Sequence, residues 1–313
     1  MRSVPQQIWL PLLLGVNVDI NGADRNALAA TTWDIGAHQY EQVASIGTTS
    51  RDYATITAWE ADLDDTTIYG GGSRARGECY NDATFGEALV INGGGTVGLT
   101  SITLIAASGE RHDGTTGSGV TNNVSSFTPI QVSVSNTTVK WLIVEQNQSN
   151  GAVAIKVSST NATLANNLLL TTSSVTGSVG GALVDVTTSS ATNCVYTNNF
   201  VFAVGDSSRG IRAKGAETNC TMANNTVYNV GNVGIQMSTE TGGVFKNNIS
   251  VDSATSDYSN GPGGSGEDYN ADSDSTAAGS NSITTTSANL FVSTVSGSED
   301  LHLKSGADAI GAG

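Results

Sequence analysis

Lys156, Asp185, Arg212 and Lys214 are the side chains in this sequence whose types come nearest to a catalytic group. A polysaccharide lyase needs a base beside a cation that neutralises the sugar carboxylate, and Lys214 with Arg212 could be recruited for that. A glycoside hydrolase needs two carboxylates about 5–9.5 Å apart across one sugar. Registering the repeat strands described below puts Lys156, Asp185 and Lys214 in one outward column, with Arg212 beside it. No second carboxylate joins Asp185 there, and an aspartate between cations is the ordinary pattern of a surface charge ladder. The ladder is the expectation.

Metal and nucleophile chemistry has three further openings. The stretch "GERHDG" groups Glu110, His112 and Asp113, but glycines on both sides read more simply as a polar turn. Asp19, Asn21 and Asp24 imitate the start of a calcium loop, yet Ala30 stands where the closing glutamate belongs. Glu267, Asp268, Asp272 and Asp274 form an acidic run of the type that takes Ca²⁺, or simply a solvated loop. His38 and His302 have no serine or cysteine partner in view. No catalytic set and no cofactor is expected; Ca²⁺ is the one ion the sequence leaves room for.

The elements that would position these groups are repetitive. "NATLANNLLL" (161–170), "NCVYTNNFVF" (193–202), "NCTMANNTVY" (219–228) and "GGVFKNNISV" (242–251) align on an Asn pair, and "NTTVKWLIVE" (136–145) keeps the leading Asn. Their leading positions, 136, 161, 193, 219 and 242, are 25, 32, 26 and 23 residues apart, with short apolar strands between. A period near 25 with short strands marks a stacked β-solenoid. Asn136, Asn161, Asn193, Asn219 and Gly242 share a column suited to a left-handed turn. Asn166, Asn198, Asn224 and Asn247 are expected at equivalent turns of successive coils, able to bond coil to coil as an amide ladder. Cys194 and Cys220 should stack as small buried hydrophobes without a disulfide.

Composition agrees. Charged residues are only 13%, so the surface must be built from Ser, Thr, Asn and Gly, which argues for strands and turns over helices. The formal charge of −15 excludes nucleic-acid binding through a basic stripe. The run "IWLPLLLGV" (8–16) is too short to span a bilayer. As a signal peptide it is interrupted by Pro11 and followed by "NVD" where small residues belong.

Four regions follow. Residues 1–45 form an N-terminal arm for assembly or attachment. Residues 46–65 hold a capping helix, with Thr57 and Glu60 as a capping box. Residues 66–251 are the solenoid, and 252–313 are polar acidic coils with a terminal strand segment.

The sequence resembles right-handed parallel β-helix repeat proteins of the kind encoded by tailed phages and marine metagenomes. The phrases that carry the likeness are "IGTTSRDYATITAWEADL", "GECYND", "AASGERHDGTTGSG", the Asn-pair coils, "LFVSTVSGSEDLHLKSGADAIGAG" and "VDINGADRN…WDIGAHQY". The resemblance implies an all-β, right-handed parallel β-helix in a virion-associated or extracellular fibre, spike or decoration protein. A polysaccharide lyase or depolymerase and a secreted adhesin are the alternatives, since one fold hosts all three. Partners would be copies of the chain in a filament or trimer, other virion proteins, or surface glycans. Ile8, Trp9, Leu10, Leu12, Leu13, Leu14 and Trp33 are the expected assembly contacts. In such proteins the closing phrase "SGADAIGAG" leads into the one found here at 18–40, so an arm from one subunit is expected to complete the end of another, with packing within one chain as the alternative.

Overall fold

A computed structural model describes residues 40–312 except 126, 148–152, 172–180, 187–190, 204–207, 215–217, 239–241 and 260–265. Three long parallel sheets of nine, eight and seven strands dominate it, with one short antiparallel pair. We number the long sheets 1, 2 and 3 in that order. The chain visits them in rotation: Thr163–Ala165 in sheet 1, Leu168–Thr171 in sheet 2, Gly181–Val186 in sheet 3, then Val195–Thr197 back in sheet 1. From Ser101–Ala106 to Ser256–Ser259, six consecutive turns each place one strand in every sheet. This all-β, parallel architecture fits a β-solenoid.

The corner between sheets 1 and 2 is two residues long, and its chemistry explains the Asn pair. The first residue takes the left-handed backbone: Trp141, Asn166, Asn198, Asn224, Asn247 and Tyr269 all have φ between 55° and 61°. Asparagine tolerates that region because its short amide bonds locally. The second residue turns inward and is buried: Asn167, Asn199, Asn225, Asn248 and Asn270 are at most 1% exposed. The amide ladder therefore runs on the residue after Asn166, Asn198, Asn224 and Asn247. In each rung, Nδ2 donates to the next coil's Oδ1, at 3.1 Å for Asn167 to Asn199 and 3.0 Å for Asn199 to Asn225. The series continues at 3.0 Å for Asn225 to Asn248 and 3.2 Å for Asn248 to Asn270. Nδ2 also donates back to a carbonyl of the preceding coil, as Asn225 does to Tyr196 at 2.9 Å. The backbone N–H of each rung joins the same Oδ1 ahead of it.

A second ladder marks the corner entering sheet 1. Asn136, Asn161, Asn193 and Asn219 have φ of 55–59° and Gly242 has 75°. Their exposed amides donate the opposite way, toward the N-terminus: Asn161 to Asn136 at 2.9 Å, Asn193 to Asn161 at 3.3 Å, Asn219 to Asn193 at 3.5 Å. Gly242 ends this column, and a β-carbon there would fall 2.5 Å from Asn219 Oδ1.

Inward residues stack in matching columns, such as Leu104, Val139, Leu164, Tyr196, Met222 and Phe245 in sheet 1. All six are at most 1% exposed. Cys194 and Cys220 are buried at successive coils, and neither is in a disulfide. The helix α1 (Ile56–Ala61) buries Ile56 and Trp59, with Leu63 just after it. Its N-cap is Thr55, whose hydroxyl accepts from Ala58 N–H, in place of the Thr57–Glu60 box expected from the sequence. The Glu87 carboxylate, from the next coil, takes Ile56 and Thr57 N–H, while Glu60 reaches Asn92 and Gly93 N–H. Long-range acceptors displace the local box. Glu41–Ile46 pairs with Arg74–Cys79, so sheet 1 begins inside what the sequence assigned to the arm.

Sheet 2 is apolar on both faces. Ile143, Leu168, Leu170, Phe202, Ile249 and Val251 form a second core outside the solenoid. The C-terminal segment covers it through Leu290 of α2 (Ser287–Leu290) and through Phe291 and Leu301 of the hairpin Phe291–Ser293/Asp300–Leu303. Strands buried on two faces read as continuous apolar runs, and "LLL" and "FVF" are such runs.

Replacing Asn225 by Ala strands the Asn199 donors and Tyr196 carbonyl that it serves. Urea denaturation should show a loss of roughly 2–4 kcal/mol, since each buried orphan costs about 1–3. Asn224→Gly, at the left-handed position beside it, should stay within about 1 kcal/mol of wild type.

Candidate functional site

On sheet 3 the register brings together Gln131, Lys156, Asp185, Arg212 and Gln236. Lys214 pairs with Ser238, two positions along, so it does not share the Asp185 column. The sequence-based register slipped by one full alternation. Val184 pairs with Ile211 and Val186 with Ala213, which sets Arg212 on the face of Asp185. The side chains of Asp185 and Lys214 lie outside the described residues, and Arg212 is 9% exposed. Asp185 is the one carboxylate of this column, flanked by Lys156 and Arg212, so the paired carboxylates of a hydrolase are not assembled on it.

The "GERHDG" loop lies over the corner between sheets 1 and 2. His112, 5% exposed, donates from Nε2 to the Asn166 carbonyl at 2.8 Å and accepts Gly114 N–H at Nδ1, 3.2 Å away. Both ring nitrogens are thus occupied, with the proton placed on Nε2 by these partners. The ring sits 5.6 Å from that of Trp141, over which Arg111 also lies at 5.2 Å. Burial lowers the His112 pKa from its ordinary 6.5, against the opposing pull of the Asn166 carbonyl and Asp113. Asp113 accepts from Thr115 N–H and Oγ1, which holds its carboxyl below the usual range. Glu110, His112 and Asp113 work separately, and the histidine is a clamp on the asparagine turn. His302 Nδ1 lies 2.6 Å from Asp300 Oδ1, and its ring is 5.9 Å from that of Phe200.

The acidic run is spread over turns at the C-terminal end. Asp268 holds Asn281 through N–H and Nδ2 at 2.8 and 2.7 Å, which lowers its pKa. Asp274 accepts from Thr276 and from Asp257 N–H. Glu267 accepts from Ala278 N–H at 3.3 Å, and burial raises its pKa. Asp272 is fully buried. Sequence reasoning passed over Asp257, which is also fully buried. Its oxygens accept Ser253 N–H at 3.0 Å and Ser273 N–H and Oγ at 2.7 and 2.6 Å. No local pattern marked it, because its partners Ser273 and Asp274 come from the next coil. Among the described residues no three His, Cys, Asp or Glu groups meet as a metal cluster. Asp19, Asn21, Asp24, His38 and the assembly residues Ile8, Trp9, Leu10, Leu12, Leu13, Leu14 and Trp33 lie outside the described residues.

Sheet 1 begins on the strand Glu41–Ile46, whose outer edge is covered in part, because Tyr53 bridges Ile46 and Asp52 takes Ser45 N–H. At the other end sheet 1 stops on Glu267–Asp268 and sheet 2 on Ile283–Thr284, whose outer edges carry no strand among the described residues. Near the last of these a groove of about 320 Å³ is lined by Asn247, Ile249, Tyr269, Ile283, Leu303 and Ala309. The closing phrase forms one wall: Ala307 is buried, and Asp308 accepts from Thr285 Oγ1 and Asn289 Nδ2.

A search against protein-family models and a search of curated proteins both return no match.

A depressed His112 pKa favours the neutral ring in the fold. Its contribution is complete above about pH 6.5 and shrinks as pH falls toward the folded-state pKa, because the unfolded chain then binds the extra proton. Urea midpoints should fall between pH 7 and pH 5, and His112→Gln should flatten that slope relative to wild type.

Proposed function

We propose that this chain is a non-enzymatic structural protein, a right-handed parallel β-helix whose first coil α1 closes and which assembles with copies of itself through its ends. The observation that carries this is the pair of C-terminal strands Glu267–Asp268 and Ile283–Thr284, which end sheets 1 and 2 with no further strand among the described residues, on a rod stitched by two continuous amide ladders. Unpaired strand edges are templates for another chain unless something covers them. The carboxylates of the C-terminal turns support the same reading, because they hold turns together instead of facing one another across a cleft.

A fibre, spike or decoration protein of a virion or extracellular surface is the class these properties suit. The Thr, Ala and Val positions on the outward face of the later coils of sheet 1 suit glycan contact better than contact with polyanions. Residues 1–39 supply the joining segment: an apolar run at 8–16 precedes the first edge strand by a length that extended chain can carry along the whole rod. A head-to-tail contact of this kind makes a filament if it does not close and a ring or trimer if it does.

Deleting residues 1–39 should leave a folded monomer that no longer assembles, as measured by sedimentation velocity and circular dichroism. A truncated protein with the same assembly state as the full chain would overturn the proposal, as would a full chain that stays monomeric at high concentration.

A further inference from the structure

The outer face of sheet 2 runs out of bulk toward the C-terminal end of the rod. Its outward column reads Ile143, Leu168, Phe200, Thr226, Ile249, Ala271 and Ile283 in register. Over the earlier coils the C-terminal segment lays large groups on this face, as where the His302 ring lies 5.9 Å from that of Phe200. At Ala271 the column drops to a methyl group. The residues of the closing phrase that line the groove with it, Ala309, Gly311 and Ala312, are small too. A β-carbon added at Gly311 would meet nothing within 4 Å. Small residues on both walls are what leave a space of about 320 Å³ here.

The groove is apolar and uncharged. Ile249, Ile283, Leu303 and Tyr269 supply its larger walls, and no charged side chain lines it. Tyr269 and Leu303 are 38% and 40% exposed, and Ile310, between two lining residues, is 58% exposed. Large apolar groups left open around an apolar recess mark an interaction surface. An ion would find no charged ligand in it, whereas an apolar side chain would touch Ile249, Ile283 and Leu303 together.

One segment outside the described residues matches that chemistry. Residues 3–18 carry no charged side chain and contain the run "IWLPLLLGV". Trp9 is the largest side chain of the run, and a buried aromatic is the usual energetic centre of such a contact. Pro11 biases Leu10 toward extended backbone, the shape that lies along a groove beside a strand. The strand is at hand: Ile283 and Thr285 N–H bond back to the Asn270 and Asp272 carbonyls, which turns the backbone groups of Thr284 to the open edge. Position then selects the source of the segment. The first strand of sheet 1 and the groove lie at opposite ends of one rod, roughly 40 Å apart for nine strands at the usual spacing. In an end-to-end stack the N-terminal end of one copy abuts the groove of the next.

We propose that this groove is the docking site for residues 8–16 of a neighbouring copy, anchored by Trp9. The inference rests on the reading of the chain as a self-assembling rod and adds the receiving surface to it. The contact is heterologous, groove on one copy and arm on the other, so it repeats along the stack.

The full chain is followed by sedimentation velocity over a range of concentrations, with circular dichroism as the check on folding. Leu303→Asp puts a charge in the groove and Ala312→Trp fills it. Each should weaken association at least tenfold, as should Trp9→Ala. Val295→Asp, at an exposed apolar residue of the same hairpin that does not line the groove, should leave association unchanged. Trp9→p-benzoylphenylalanine, irradiated in a mixture of unlabelled and ¹⁵N-labelled protein, should crosslink to groove residues in isotopically mixed pairs. If Leu303→Asp loosens the hairpin, Ala312→Trp and the crosslink carry the test. A full chain that stays monomeric at high concentration overturns this proposal together with the assembly reading. Assembly that persists in Leu303→Asp, Ala312→Trp and Trp9→Ala overturns the groove alone and leaves that reading standing. Crosslinks confined to single chains overturn the neighbouring copy as the source of the arm.

Discussion

The buried asparagine amide is the group on which the rest of the structure depends. A chain that turns sharply between two sheets leaves backbone donors and carbonyls inside the corner, where no strand can pair them. One amide per coil resolves this. Asn199, for example, donates twice, to Asn225 Oδ1 and to the Leu164 carbonyl, and its Oδ1 accepts both donors of Asn167. Because each rung needs its neighbour at hydrogen-bond distance, the ladder enforces the strand spacing and the parallel register at once. The left-handed residue before it follows as a geometric necessity, and even Trp141 and Tyr269 accept that backbone where the column requires it.

From that corner the division of labour among the sheets follows. Sheet 1 presents an inward apolar column and an outward face that changes from the charged Glu41, Arg74, Arg76 and Glu78 of its first strands to mostly Thr, Val and Ala in the later coils. Sheet 2, entered directly from the ladder, carries apolar residues on both faces and needs a cover. The C-terminal hairpin and α2 supply it, which ties the last residues of the chain to coils laid down much earlier: Phe291 meets Tyr228, and His302 meets Phe200. The His112 clamp seals the same corner from the N-terminal side.

Much of this was legible in the sequence, and the failures share a cause. The Asn pairs revealed the period and the corner, since both residues recur at fixed distance from the flanking strands. Which of the two carries the ladder was hidden, because sequence shows a doublet and only the coil geometry turns the second one inward. Lys214 was placed beside Asp185 because both follow an apolar alternation. Counting from the inward Ile211 would have chosen Arg212. Thr57 and Glu60 satisfied a local capping rule that Glu87, about thirty residues away, overrode. Asp257 and the outer core of sheet 2 were missed because each depends on residues from a different coil. A solenoid is legible within a coil and opaque between coils.

The two ladders have defined ends, and this bears on how the length of such a rod is inherited. At the N-terminal end the Asn167 carbonyl oxygen of the amide takes Leu142 N–H, where an apolar residue stands in place of a rung. At the other end Asn270 N–H turns to the Ser282 hydroxyl. Between these stops every rung is interchangeable, since each coil offers the same donors forward and the same acceptor back. A whole coil can be duplicated or lost without leaving a bond unmade, whereas an insertion of one residue at the corner breaks both ladders. Length in this architecture is therefore digital: it changes by complete coils, and the corner asparagines act as the error check that rejects anything smaller.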